Sequence, residues 1–97
     1  MKLEDKLVKD AHVLLHPIRF RIVELLAEKP MHINAISKAL EEKKKRLVSY
    51  HLHILEEHGL VSSRYEISEQ PKSKGKALKI YWLTDKVDEV LSELKKI

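Results

Sequence analysis

Four adjacent cations, Lys43, Lys44, Lys45 and Arg46, are followed at helical spacing by Ser49, Tyr50 and His53. Lys and Arg neutralise phosphates, Arg also forks onto guanine edges, and Ser, Tyr and His exchange hydrogen bonds with phosphate or base. A second cationic set, Lys72, Lys74 and Lys76, lies in "PKSKGK". Its Pro, Ser and Gly give it the texture of a loop, which beside a DNA-reading helix would grip phosphate or the minor groove. Both sets suit binding to double-stranded DNA. Catalysis is not expected, because the chain shows no phosphate loop, no nucleophile–base arrangement and no paired carboxylates in a pocket-forming context.

Six histidines raise the question of a metal, but there is no cysteine and so no thiolate ligand. His51 and His53 point to different faces of a helix, and His58 is not four residues from either. His51 lies near the apolar stripe and reads as a packed, hydrogen-bonded residue. His12 and His16 share a face, yet two ligands do not make a site; such a pair would at most make a subunit contact pH-sensitive. No metal and no cofactor are expected.

Ninety-seven residues make one domain. Hydrophobic content of 43% is ordinary for a globular chain. No apolar run reaches the length of a membrane span, and the N-terminus does not read as a signal peptide. A soluble cytoplasmic domain is the expectation. The net charge is +4 and unevenly spread: residues 1–15 are neutral and residues 84–97 carry −1, whereas 59–83 carry +3. Basic clusters between near-neutral ends predict a basic face in the middle of the chain and another task for the termini. Charged residues reach 35%, with a single Asn and a single Gln, a balance that fits a thermophile.

The elements that must position these residues follow from apolar spacing. Leu3, Leu7, Val8, Ala11, Leu14 and Leu15 recur at helical intervals. Pro17 opens a second helix with Ile18, Ile22, Leu25 and Leu26 on one face, and Pro30 stops it. Ile33, Ile36 and Leu40 mark a third. Val48, Leu52 and Leu55 centre a fourth, ended by Gly59. Then "LVSSRYEIS" alternates as a strand does, a basic loop follows, and "ALKIYWLT" is a second strand. Ile80 and Trp82 face opposite to Tyr81 and Leu83, so the hairpin is expected to be covered on both sides. Thr84 or Asp85 caps a last helix carrying Val87, Val90, Leu91, Leu94 and Ile97. The order is α-α-α-α-β-β-α.

The stretch 32–58 holds no Gly or Pro and invites reading as one helix. Against that, Lys43 and Lys44 fall where the apolar stripe should continue, and beyond them its centre shifts to Val48, Leu52 and Leu55. A turn within 41–45 is favoured. It produces a helix-turn-helix whose second helix turns Arg46, Ser49, Tyr50 and His53 outward, able to enter a major groove.

"LVSYHLHILEEHGLV" resembles the recognition-helix signature of ArsR-type winged-helix regulators through Val48, Ser49, His51, Leu52, Leu55, Gly59, Leu60 and Val61. "HPIRF" is similar to that family's helix start through His16, Pro17 and Arg19, and "IYWLT" to its second wing strand through Tyr81 and Leu83. The resemblance implies an α+β, mostly α, winged helix-turn-helix with a two-stranded wing. In that plan residues 32–58 form the helix-turn-helix, 60–83 the wing, and helices within 1–15 and 84–97 a homodimer interface. Leu3, Leu7, Leu14, Val87, Leu91 and Leu94 would meet the partner subunit. The chain departs from the family where its turn reads "EEKKK" instead of carrying Gly, and where His32 and Asn34 replace the metal-sensing Cys-x-Cys. Its last helix has acids but no His.

The leading expectation is a homodimeric, sequence-specific transcription regulator, a repressor that blocks promoter access. The alternative is a winged helix used as a protein-interaction or assembly module, presenting Tyr65, Trp82 and the terminal helices.

Overall fold

The structure, a computed structural model, describes residues 5–41, 45–69, 71–72 and 74–97. Helix α1 (Asp5–Leu15) leads at once into α2 (Pro17–Glu28). His16 makes the junction: its extended backbone stops α1, and its Nδ1 accepts from the Ile18 amide at 3.2 Å, while Pro17 takes the first helical position. A short strand β1 (Met31–His32) precedes α3 (Ile33–Ala39). His32 repeats the device, its Nδ1 accepting from the Asn34 amide at 3.2 Å.

The expected break inside the charged run is present. The helical path of α3 ends at Ala39, and the amides of Leu40 and Glu41 donate back to the Ile36 and Lys38 carbonyls. Glu41 then takes a left-handed conformation with φ 56°. A glycine usually fills such a stop, because a side chain there costs about 1–2 kcal/mol. The next helix, α4 (Lys45–Glu57), begins beyond the turn.

Gly59 (φ 72°) closes α4, with the Leu60 amide reaching back to the Leu55 carbonyl at 3.0 Å. The wing follows as β2 (Val61–Ile67) and β3 (Ala77–Leu83), antiparallel with Val61 opposite Leu83 and Ile67 opposite Ala77. A third strand joins it, since Met31 pairs with Tyr81 and His32 with Ile80, giving the order β1-β3-β2. Two residues carry no readable alternation, and β1 exists through its pairing with β3. Helix α5 (Asp85–Lys95) completes the domain. Thr84 holds the N-cap position, but its hydroxyl donates to the Gly59 carbonyl at 2.5 Å instead of capping the helix.

Leu14, Ile22, Ile36, Val48, Leu52, Leu55 and Leu60 are fully buried, and with Val61, Val87 and Val90 they join the helices and the wing into one core. Each contributes about 1.5–3 kcal/mol by leaving water. The wing is covered on one side, not both. Tyr81 is buried toward the helices, whereas Ile80 and Trp82 are half-buried on the other face. There the Arg64 guanidinium lies 5.6 Å from the Trp82 ring centre, so a flexible cation shields the indole where a packed element was expected.

Candidate nucleic-acid interface

Burial of Val48, His51, Leu52 and Leu55 fixes the rotation of α4 about its axis. Its opposite face therefore carries Lys45, Arg46, Ser49, Tyr50 and His53 into solvent, all exposed. Together with Ile33 from the start of α3 they line one shallow surface depression. Lys45 and Arg46 stand in the first turn of α4, where the unpaired amides and the helix dipole add positive potential. Lys43 and Lys44 lie outside the described residues. Lys72, Lys74 and Lys76 are exposed on the wing loop, and Lys79 of β3 sits 5.9 Å from the Tyr65 ring centre and 5.5 Å from that of Tyr81.

Two features of this face were not anticipated. His53 Nε2 meets Glu57 Oε1 at 2.5 Å, one turn along the exposed face. A carboxylate among the cations holds the imidazole by one nitrogen, and the other remains for base or phosphate. The i, i+4 spacing of His53 and Glu57 was visible in the sequence and carried this pairing. At the wing, Tyr65 and Ile67 are 69% and 65% exposed, an apolar strip beside Lys79. The alternation of β2 marks their face, but it does not reveal that the wing extends past the helices that would cover it.

Behind the interface, three histidines serve structure. His51 is buried, its ring 4.7 Å from that of His16, with Arg19 Nη1 at 3.1 Å from its Nδ1. A guanidinium only donates, so this Nδ1 accepts and the proton sits on Nε2. Burial, then His16, then Arg19 push the imidazole below its ordinary value and keep it neutral. The Arg19 Nε also donates to the Val13 carbonyl at 2.7 Å, tying α1, α2 and α4 together. His58 belongs to another cluster, where buried Asp10 receives Lys86 at 3.3 Å and His58 at 3.6 Å. Among the described residues no group of three or more His, Asp or Glu is placed to hold a metal.

The terminal helices pack on each other and place the expected interface residues unequally. Leu14 and Val87 are inside the single chain, at 0% and 3% exposure. Leu7, Leu91 and Leu94 are half-buried at its edge, and Leu3 lies outside the described residues. Val8, Leu15 and Ile97 are exposed apolar residues of the same region. Among the described residues no helix is long and apolar enough to cross a membrane.

A family model described as "Helix-turn-helix domain" matches residues 14–64. The fold is similar to that of diamide-treated YodB from B. subtilis, 19% identical, with a TM-score of 0.77 over 99% of this chain and 92% of that one. It is also similar to a possible transcriptional regulator for arsenical resistance, 26% identical, TM-score 0.68, covering 97% and 83%. A third likeness is to the homodimeric winged helix-turn-helix DNA-binding domain of Mb0332 from Mycobacterium bovis, a possible ArsR-family regulator. That one is 21% identical, with a TM-score of 0.69 over 94% of this chain and 76% of the other. No curated protein matches the chain.

Proposed function

The chain belongs to the helix-turn-helix domain family, with the winged fold of ArsR- and MarR-type regulators, and from that premise we propose that it is a homodimeric, sequence-specific repressor acting on double-stranded DNA. The observation that carries this reading is the rotation of α4, which buries Leu52 and Leu55 and turns Lys45, Arg46, Ser49, Tyr50 and His53 outward on one face. A helix of this kind fits the major groove, where Arg46 reaches guanine edges and Ser49, Tyr50 and His53 meet base or phosphate. The wing lysines Lys72, Lys74 and Lys76 hold phosphate on the flank, with Lys43 and Lys44 adding to the same field. Two copies joined through Leu7, Val8, Leu91, Leu94 and Ile97 would bring two recognition helices to half-sites about one DNA turn apart. Occupancy of a promoter by such a dimer excludes the transcription machinery, which makes repression the favoured outcome.

With about six to eight cationic contacts per dimer, log K against log salt slopes at about −5 to −7. The exposed strip of Tyr65 and Ile67 favours one other reading, a winged helix that docks proteins. That module predicts no salt-steep DNA binding, so a salt titration on DNA selected from the source genome separates the two.

A further inference from the structure

The outer edge of the wing carries a pattern that neither the DNA-reading face nor the core uses. At the two ends of the β2–β3 ladder, the Ser68 amide donates to the Lys76 carbonyl at 2.8 Å and the Thr84 amide to the Leu60 carbonyl at 3.1 Å. The register between them runs without a bulge, from Val61 opposite Leu83 to Ile67 opposite Ala77. The even-numbered residues of β2 therefore turn their amides and carbonyls to β3, and Val61, Ser63, Tyr65 and Ile67 turn theirs outward. Because β2 ends the sheet, no strand among the described residues takes up those outward groups. Exposed edges are usually blunted by Pro, Lys or a bulge, and Val61–Ile67 has none of these. Its two charges, Arg64 and Glu66, are of opposite sign. Residues Arg64, Tyr65, Glu66 and Ile67 are all exposed.

We propose that this edge pairs with the same edge of a second copy, antiparallel about Tyr65, at an interface distinct from the terminal helices. The charges select both the partner and the register. With Tyr65 opposite its own counterpart, Arg64 stands across from Glu66 of the second copy, and Glu66 across from Arg64 of the second copy. Opposite charges directly across a strand pair favour pairing. Centring the pair on Arg64 or on Glu66 instead sets like charges face to face, and centring it on Ser63 leaves both charges without partners. The Tyr65 centre also sets Ser63 against Ile67, both outward-bonding positions, as an antiparallel ladder requires. Within one chain Arg64 Nη2 already meets Glu66 Oε1 at 3.1 Å, with 70% and 46% of the side chains exposed. Exchanging so exposed a contact for a cross-strand one costs little. A foreign strand could also add to this edge, but it would have to bring the matching charge order, which a second copy supplies by symmetry. An isologous contact at the wing, added to one at the terminal helices, would join dimers side by side. The wing contact depends neither on that dimer nor on DNA binding.

Sedimentation equilibrium of the Val8→Glu chain without DNA isolates the wing contact, since that substitution opposes the terminal-helix dimer. A monomer–dimer equilibrium with a dissociation constant on the order of 0.1 mM is expected. Arg64→Glu and Glu66→Arg, each added alone, should weaken it about tenfold or more by facing like charges. An equal mixture of those two chains should restore it, because each then meets the opposite charge. Tyr65→Pro removes an outward amide and leaves the β3 ladder its partners, so it should abolish pairing with unchanged far-ultraviolet dichroism. The chain has no cysteine, which lets Tyr65→Cys report the register. Two copies centred there bring the paired Cα atoms to about 5.5 Å, within reach of a disulfide. Mild oxidation should cross-link that variant, and Glu66→Cys, displaced from the two-fold, far less. No self-association up to about 1 mM, pairing that survives folded Tyr65→Pro, or charge reversals that the mixture does not rescue would overturn the proposal. The terminal-helix dimer is judged separately, by the change from the native chain to Val8→Glu, and DNA binding by the salt titration.

Discussion

The histidines of this chain divide by what their ring nitrogens already do. His16 and His32 spend Nδ1 on helix starts, His51 spends it on Arg19 and His58 turns its own to Asp10, so four of six are structural. His51 provides a pH prediction with a definite sign. Its folded value lies below the ordinary one of about 6.5, so the unfolded chain takes up a proton first as the pH falls. The stability it contributes is complete above about pH 6.5 and is lost as the pH falls from there toward the depressed folded value. His51→Gln keeps an acceptor for Arg19 and cannot titrate. Thermal melts from pH 7.5 to 5 should therefore show a shallower fall in Tm for the variant; equal slopes would remove His51 from the account. Glu41 gives a second test. Its φ of 56° is one that glycine adopts without a side-chain penalty, so Glu41→Gly should gain roughly 0.5–1 kcal/mol. That is a rise in Tm of several degrees, about 4–8 °C per kcal/mol for a domain of this size. At this scale the sequence was half legible. The apolar stripe located His51 beside the core, but the left-handed stop at Glu41 carries no Gly or Asn to announce it.

Among the elements, α4 was readable because its burial is periodic. Val48, Leu52 and Leu55 are the expected stripe and are all fully buried. Leu52→Ala should cost about 2–5 kcal/mol in denaturant unfolding, whereas Arg46→Ala, on the solvent side, should leave stability within about 0.5 kcal/mol. The wing was readable as strands and misread in its surroundings. Alternation assigns Ile80 and Trp82 to one face, yet it does not say whether a helix, a partner or only Arg64 lies over them. β1 was not readable at all, since its two residues owe their strand conformation to partners 50 and 48 positions away, Met31 opposite Tyr81 and His32 opposite Ile80. If the wing lysines grip phosphate, replacing Lys72, Lys74 and Lys76 by Ala should make the salt slope of DNA binding shallower by about two to four. Discrimination between sequences should be nearly unchanged, because phosphate contacts carry no base information. A shift in sequence preference would assign the wing a base-reading role instead.

For the whole molecule, the charge distribution and the terminal helices set the expectations. Near-neutral ends and a basic centre map onto α1 and α5 on one side and α4 with the wing on the other. The terminal stripes mixed two tasks that spacing alone does not separate. Leu14 and Val87 close the core of the single chain, while Val8 and Ile97 are exposed, where the proposed dimer would bury them. Val8→Glu, at an exposed helix position, should shift sedimentation equilibrium toward monomer with unchanged far-ultraviolet dichroism.

The central claim is that the outward face of α4 binds DNA, and it is tested most directly by one salt titration. Binding to a fragment selected from the source genome is followed as log K against log salt for the native chain and for Lys45→Ala with Arg46→Ala. The native chain, bound as the proposed dimer, should slope at about −5 to −7, and the folded double variant should bind far more weakly with a slope shallower by about three to four. Unchanged affinity and slope in a folded double variant would contradict the account.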